Sequence, residues 1–551
     1  MYIDRMHGAK KIGLGLTGLA GLAVLIYAGE ALRGKSAWGN FKKEWEAKGE
    51  VFDYKQIVPK PIPSEKNFAH IPILKPLVLV YAGETLRGKS AWGNFKKEWE
   101  AKGEVFDYKQ IVPKPISSER NFAHIPLLKP LHEHKWNKDL TESTPIDQKK
   151  FNQAQSLMKI EGDLRPDLDG WKTGQPVDLI AWQKFFLEEK GWPHPEKAGK
   201  PATDILQALT KFEVTMAKLT QAAKERPLCR YDIKYEAHFA ALLPHMGPLR
   251  NFVRSFTLRA LAHLANDDPK AALADIRMCL FLAESIRDEP LLISQLVRIA
   301  CLQIAIQPVW EGLKEGKWSA EQLAGIEKQL ADIDLLDGYR ISILGERDLA
   351  NLAIDRMRDN PKLFGMLFED DDPNLKFIPD GWFSHNQRRL NEMHVNFSQR
   401  IVDIKARRIR PEIAAAFNKE LDARTKRKLP IYDMLSGMLL PAIDEVAIKI
   451  GFAQTAVDHA RIACYLELHK LEHKKYPAKL ASLEATPPHD PYTGKPYAYT
   501  PDPKGSYQLY GVGWNQKDDD GKVVLRGSGG LNLDEGDLVW SYLPATRPKG
   551  E

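Results

Sequence analysis

A few side-chain groupings are the places where this chain could do chemistry. His469, Glu472 and His473 form an H-x-x-E-H pattern. On a helix it sets two imidazoles one turn apart, the spacing that binds zinc, with the glutamate placed to activate a water. Patterns this short recur by chance. Tyr476-Pro477 ends the helix just beyond, and no second helix with an evident glutamate ligand follows, so a solvated helix end is the alternative. Near the C-terminus, Asp518, Asp519 and Asp520 precede Gly521, and Asp534, Glu535 and Asp537 return just before Leu538-Val539-Trp540. Two such loops brought together would form the oxygen-rich, flexible cage that calcium takes, with Asp519, Asp520 and Asp537 as its candidate ligands; Asp- and Gly-rich hairpins alone are usually only turns. His132-Glu133-His134 and Glu369 to Asp372 read as solvated loops. The four cysteines, Cys229, Cys279, Cys301 and Cys464, are far apart and make no C-x-x-C pair, which argues against a structural zinc site and a dense disulfide scaffold. Cys279 and Cys464 fall on apolar helical stripes as small buried hydrophobes. No grouping makes a catalytic centre, and the expectation is a non-catalytic protein.

The elements that must hold these groups are mainly helices. With 551 residues and 43% hydrophobic content the chain can bury one or two full-sized cores. A net charge of +6 over that length, with no compact Lys/Arg block interleaved with aromatics, gives nucleic-acid binding little support. Phe252, Val253, Phe256, Ala260 and Leu264 share one helix face. A second helix starts at Asp268 with Pro269 in its first turn and carries Ala272, Ile276, Cys279, Ala283 and Ile286. The two read as antiparallel neighbours. A further helix is expected from Glu289 to Leu313, one near Asp178 to Lys190, and Ser319 with Gln322 reads as a capping box for a helix bearing Leu323, Ile326, Leu330 and Ile333. The pairs resemble tetratricopeptide-type hairpins in general form, but no 34-residue period recurs, so an irregular helical array is expected. The fold class is therefore mainly α, with an N-terminal membrane anchor and a small C-terminal antiparallel β module packed on a long helix.

Arg5, Lys10 and Lys11 precede an uncharged apolar run from Ile12 to Gly29. That pattern reads as an uncleaved membrane anchor or a secretory signal peptide. The basic residues would stay cytoplasmic, which places the rest of the chain outside the inner membrane. Beyond it, Tyr27 to Leu77 recurs as Tyr81 to Leu131 at a period of 54 residues, with substitutions only at Ala31/Thr85, Pro63/Ser117, Lys66/Arg120 and Ile73/Leu127. Exposed lysines and glutamates are copied along with apolar positions, so duplication explains the match better than solenoid architecture does. Each unit carries Trp-x-x-Phe-x-x-x-Trp, at Trp38, Phe41 and Trp45 and at Trp92, Phe95 and Trp99, on a short helix stopped by Gly49 or Gly103. A proline-punctuated strap follows that packs on the protein's own body or serves as an arm for a partner. If the body has a single groove, one copy is left over.

From Tyr476-Pro477 through Asp490-Pro491-Tyr492, Gly494, Pro496-Tyr497, Tyr510-Gly511-Val512-Gly513, Asp520-Gly521 and Asp537, the order of motifs resembles the end of a type II secretion major pseudopilin. The resemblance implies a helix followed by a small sheet, with calcium held between its loops. No prepilin-peptidase glutamate is visible near the apolar run, and the acidic loop is longer, with VVLRGSGGLNL before Asp534. From the Trp-x-x-Phe unit and NFAHIP through RPLCRYDIKYE, EPLLISQLVRIA and VWEGL to LYGVGWN and GDLVW, the chain also resembles a family of large bacterial envelope proteins that carries no known activity. H-x-x-E-H at His469 to His473 is similar to the inverzincin metallopeptidase pattern. The expected layout is an anchor at 1–29, duplicated units at 30–131, a connector at 132–200, a helical domain at 201–430, and a long helix with the pseudopilin-like module at 431–545. The expected function is a single-pass inner-membrane protein, bulk periplasmic, acting as a non-catalytic scaffold for an envelope protein partner or a homo-oligomer. The competing readings are an extracytoplasmic zinc hydrolase and a peptide-binding helical array.

Overall fold

The computed structural model describes residues 74–162, 165–360, 363, 378–426, 432–440, 442–503, 505–527 and 530–545. The apolar run Ile12 to Gly29, nearly all of the first repeat copy and the acidic run Glu369 to Asp372 lie outside them. The chain divides into two compact units, Met1–Ser90 with Pro379–Trp382, and Ala91–Ile378 with Phe383–Glu551. In the smaller unit, the start of helix α1 (Leu74–Glu100) passes the start of α2 (Asp380–Asn396) at a glycine contact. A Cβ on Gly88 would lie 2.1 Å from the Gly381 carbonyl oxygen, so only glycine permits this approach. Lys89 pairs with Asp380 across it, 2.9 Å apart.

The larger unit is mainly helical. α3 (Met246–Ala265) and α4 (Pro269–Glu284) are joined by a tight turn, and the Asp268 carboxylate caps α4 by accepting the Ala271 N–H. Their pairing is antiparallel: Arg259 meets Asp275 at 2.6 Å, while Thr257 and the Val253 carbonyl both meet Cys279 further along. All five expected apolar positions of each series are buried, although Ile286 lies just beyond the end of α4. α5 (Leu292–Lys314) starts three residues later than the sequence implied, with Leu291 in the extended cap conformation, and it carries Pro308 in its interior. Among the described residues α5 alone is long and apolar enough to cross a membrane, and it runs through the core against α3, α4, α6 (Leu335–Asp359) and α7 (Ile443–His473). The Ser319–Gln322 capping box forms as expected at the head of Ala320–Ala331.

Three small antiparallel sheets complete the described fold. Two are short pairs, β1 (His134–Trp136) with β2 (Ser143–Pro145) and β3 (Val402–Asp403) with β4 (Arg408–Ile409). The third, β5 (Ala498–Asp502), β6 (Ser506–Gly511) and β7 (Leu538–Trp540), packs on α7.

The second repeat copy docks on the helical body. Phe122 is fully buried edge-on against Phe281, and Ile125, Leu128 and Leu131 follow it into the core. The aromatic stripe differs from expectation in one respect. Trp92, Phe95 and Trp99 lie at the end of a 27-residue helix, not a short one, because no proline interrupts the chain between Pro76 and Pro113. Gly103, at φ +94°, follows its end as expected. Trp92 and Phe95 pack with Phe106, whose ring faces the Arg347 guanidinium at 4.6 Å.

Candidate functional site

The C-terminal module is built by tyrosines that lock its turn and sheet onto α7. Tyr497 donates its hydroxyl to Asp458 at 3.0 Å, and burial raises the Asp458 carboxyl to about 6. The Tyr492 hydroxyl fills the space beside Gly451, where a Cβ would stand 2.0 Å away. Asp490 is buried and fixes the turn, accepting the N–H groups of Tyr492 (2.7 Å) and Val512 (3.1 Å). At the helix end, Tyr476 donates to Glu467 across the tyrosine-proline step.

The acidic loop hangs from Asp537. One carboxylate oxygen, Oδ2, accepts the backbone N–H groups of Asp519 (3.0 Å) and Gly521 (2.7 Å). The other, Oδ1, is buried without a hydrogen-bond partner. Burial raises this carboxyl to about 6, and the charges of Asp518 and Asp519 push the same way. Asp537 also lines a small, partly open cavity of about 20 Å³ with Trp171, Asn532 and Leu538, room for one water-sized occupant. The Asp519 carboxylate accepts from the Asn515 amide at 3.0 Å, and Asp518 accepts from the Tyr510 hydroxyl at 3.1 Å. Asp520, at φ +56°, is exposed. The loops thus join Asp537 to Asp519 through backbone N–H donors. Among the described residues no group of three His, Cys, Asp or Glu side chains is placed to hold a metal ion.

The H-x-x-E-H residues lie at the solvated end of α7. The His469 and His473 rings approach to 4.3 Å, but one nitrogen of His469 is committed to the Lys475 carbonyl at 3.0 Å. Lys474, in the left-handed region, ends the helix immediately after His473.

No family model, curated protein or solved structure matches the chain.

One buried constellation escaped the sequence reading, and it corrects the view of His132 as part of a solvated loop. His132 is half-buried beside Tyr231 and His245, with ring centroids at 5.3 and 5.9 Å, and both of its ring nitrogens are shielded from solvent. Burial, reinforced by the neighbouring histidines, lowers its pKa to about 3. Tyr231 stacks flat on His245 at 4.0 Å, His245 stands 3.0 Å from Glu289, and Glu289 accepts from Ser294 at 2.5 Å. The Asn121 amide brackets the Arg230 backbone, donating to its carbonyl at 2.7 Å and accepting its N–H at 2.9 Å. NFAHIP, RPLCRYDIKYE and EPLLISQLVRIA therefore meet around one shielded polar cluster. Burial pushes the Cys229 thiol there up to about 12, the opposite of what a nucleophile requires. The available signal was the apolar series Phe122, Ile125, Leu128 and Leu131, whose three-residue spacing carries the buried face up to His132.

Proposed function

We propose that this protein is a non-catalytic scaffold, anchored in the bacterial inner membrane by Ile12 to Gly29, whose extracytoplasmic body and C-terminal module bind another envelope component of a secretion- or pilus-like system. The observation that carries this reading is the locking of the C-terminal module onto α7 through Tyr492 and Tyr497, with Asp490 fixing the turn between them, at the positions where the sequence resembles a pseudopilin. A rigid helix-and-sheet module suits docking. Supporting it, the deeply placed charges of the body pair internally: Arg298 with Glu284 and Arg259 with Asp275.

Calcium belongs to this proposal through the unpartnered Oδ1 of Asp537, with Asp519 and Asp520 supplying oxygens if the loop closes on the ion. A C-terminal reporter active only outside the cytoplasm, combined with alkaline extraction of membranes, tests the placement. An active reporter and resistance to extraction are expected; an inactive reporter would sink the reading. Zinc bound in stoichiometric amount and lost on His469→Ala would instead favour the hydrolase.

A further inference from the structure

A cleft of about 400 Å³ opens between α6 and the β3–β4 hairpin, within the size range of small-molecule sites. Its apolar surface comes from Leu344, Val402 and Ile404, and four cations surround it: Arg340, Arg400, Lys405 and Arg410. Two carboxylates also line the cleft, and both are engaged. Glu104 binds the fully buried Arg347 at 2.6 Å. Asp403 accepts the Ala406 N–H at 3.0 Å and pairs with Arg410 at 2.5 Å, and these contacts hold its carboxyl below the usual range.

The remaining cations keep free donors. Arg340 commits its Nε to Asp337 at 2.7 Å and leaves its two terminal nitrogens. Arg400 spends one terminal nitrogen on the Asn396 carbonyl at 3.3 Å, and Lys405 stands exposed on the hairpin with no carboxylate partner among the described residues. The hairpin carrying Lys405 is itself held in place, since Arg407 pairs with Asp334 at 2.7 Å at the head of α6. Apolar side chains and unspent cations lining one cleft are complementary to one kind of ligand.

We infer that this cleft binds a small organic anion, a carboxylate or phosphate ester on an apolar body, with the charged group at Arg340, Arg400 and Lys405 and the body on Leu344, Val402 and Ile404. Neither the anchor nor the pseudopilin-like module is needed for this.

The test is calorimetric titration of the full chain with naphthoate, compared with the neutral analogue naphthalenemethanol and with inorganic phosphate. Saturable one-to-one binding of naphthoate is expected. The Arg400→Glu/Lys405→Glu double variant should weaken it by about tenfold or more, as should each comparator, because charge and apolar contact act together. Both side chains are exposed, so the double variant keeps its fold, as a thermal melt would verify. Ile404→Asp, which removes part of the floor and adds a repelling charge, should weaken naphthoate as well. Naphthoate affinity unchanged in the double variant, or phosphate bound as tightly as naphthoate, would overturn the inference.

Discussion

Acid should loosen this fold through His132, and the size of the effect follows from its surroundings. In the unfolded chain an imidazole titrates near ~6.5, whereas the buried ring is lowered to about 3. The folded state therefore binds the proton less readily than the unfolded one. The stabilisation by neutral His132 is complete above the unfolded value and is lost as pH falls through the window down to about 3. At about pH 5 the unfolded ring is protonated roughly thirty to one while the folded ring remains neutral, which costs about 2 kcal/mol of stability relative to neutral pH. His394 and His459, also lowered to about 3 by burial, act in the same direction. Asp348, Asp458 and Asp537, each raised to about 6, act in the opposite direction, because a carboxyl that holds its proton in the folded state is favoured as pH falls. The total acid curve is thus a difference of opposing terms, and only a comparison of two variants isolates one group. His132→Phe keeps a ring beside Tyr231 and cannot titrate. Urea midpoints at neutral pH and at about pH 5 should show the wild type losing about 2 kcal/mol more than the variant. An equal loss in both proteins would refute the reasoning that the ring is neutral and shielded from solvent in the folded state.

Three other outcomes follow from the packing. Excising residues 78–131 joins Leu77 to His132 and offers the groove Trp38, Phe41, Phe68 and Leu74 in place of Trp92, Phe95, Phe122 and Leu128; because Ser117 and Arg120 are exposed and Thr85 and Leu127 half-buried, urea unfolding should shift by less than about 1 kcal/mol. Gly451→Ala drives a methyl into the Tyr492 hydroxyl and towards the Ile409 side chain, 2.7 Å from the new Cβ, so a loss of about 2 kcal/mol or more is expected in thermal melts, with the sheet's tyrosine fluorescence changing first. Arg347→Met leaves Glu104 without its buried cation and Asp348 uncompensated, which should cost about 3 kcal/mol or more in denaturant titrations, and Glu104→Gln in the same chain should recover part of it.

The helical body was legible because its signals are local. Asp268 before Pro269, Ser319 with Gln322, and the apolar series from Phe252 to Leu264 each name an element within a few residues, and each forms where the chain says it should. What those signals could not give is length. The helix carrying Trp92, Phe95 and Trp99 runs from Leu74 because nothing breaks it upstream, and the absence of a breaker is a weaker cue than a glycine or a proline.

The polar groups were harder to read for a physical reason: burial of a charge or an imidazole is decided by partners far away in the chain. His132 looks solvated among charged neighbours, yet Tyr231 and His245 enclose it. The acids of the C-terminal loop look alike in sequence, and only Asp537 is buried, because Asp519 and Gly521 turn their N–H groups toward it. The cations of the α6 cleft are spread over some seventy residues of chain, from Arg340 to Arg410, and nothing local marks Arg400 or Lys405 as facing the same space. The cleft also takes Glu104 from the duplicated strap. Docking of that strap therefore completes the groove's apolar packing and, through Glu104 paired with Arg347, supplies part of the cleft's lining, which couples the one segment present twice in this chain to the cleft. A variant in which the strap is displaced should lose naphthoate binding along with stability, whereas the single-copy excision, which supplies Glu50 in place of Glu104, should keep both.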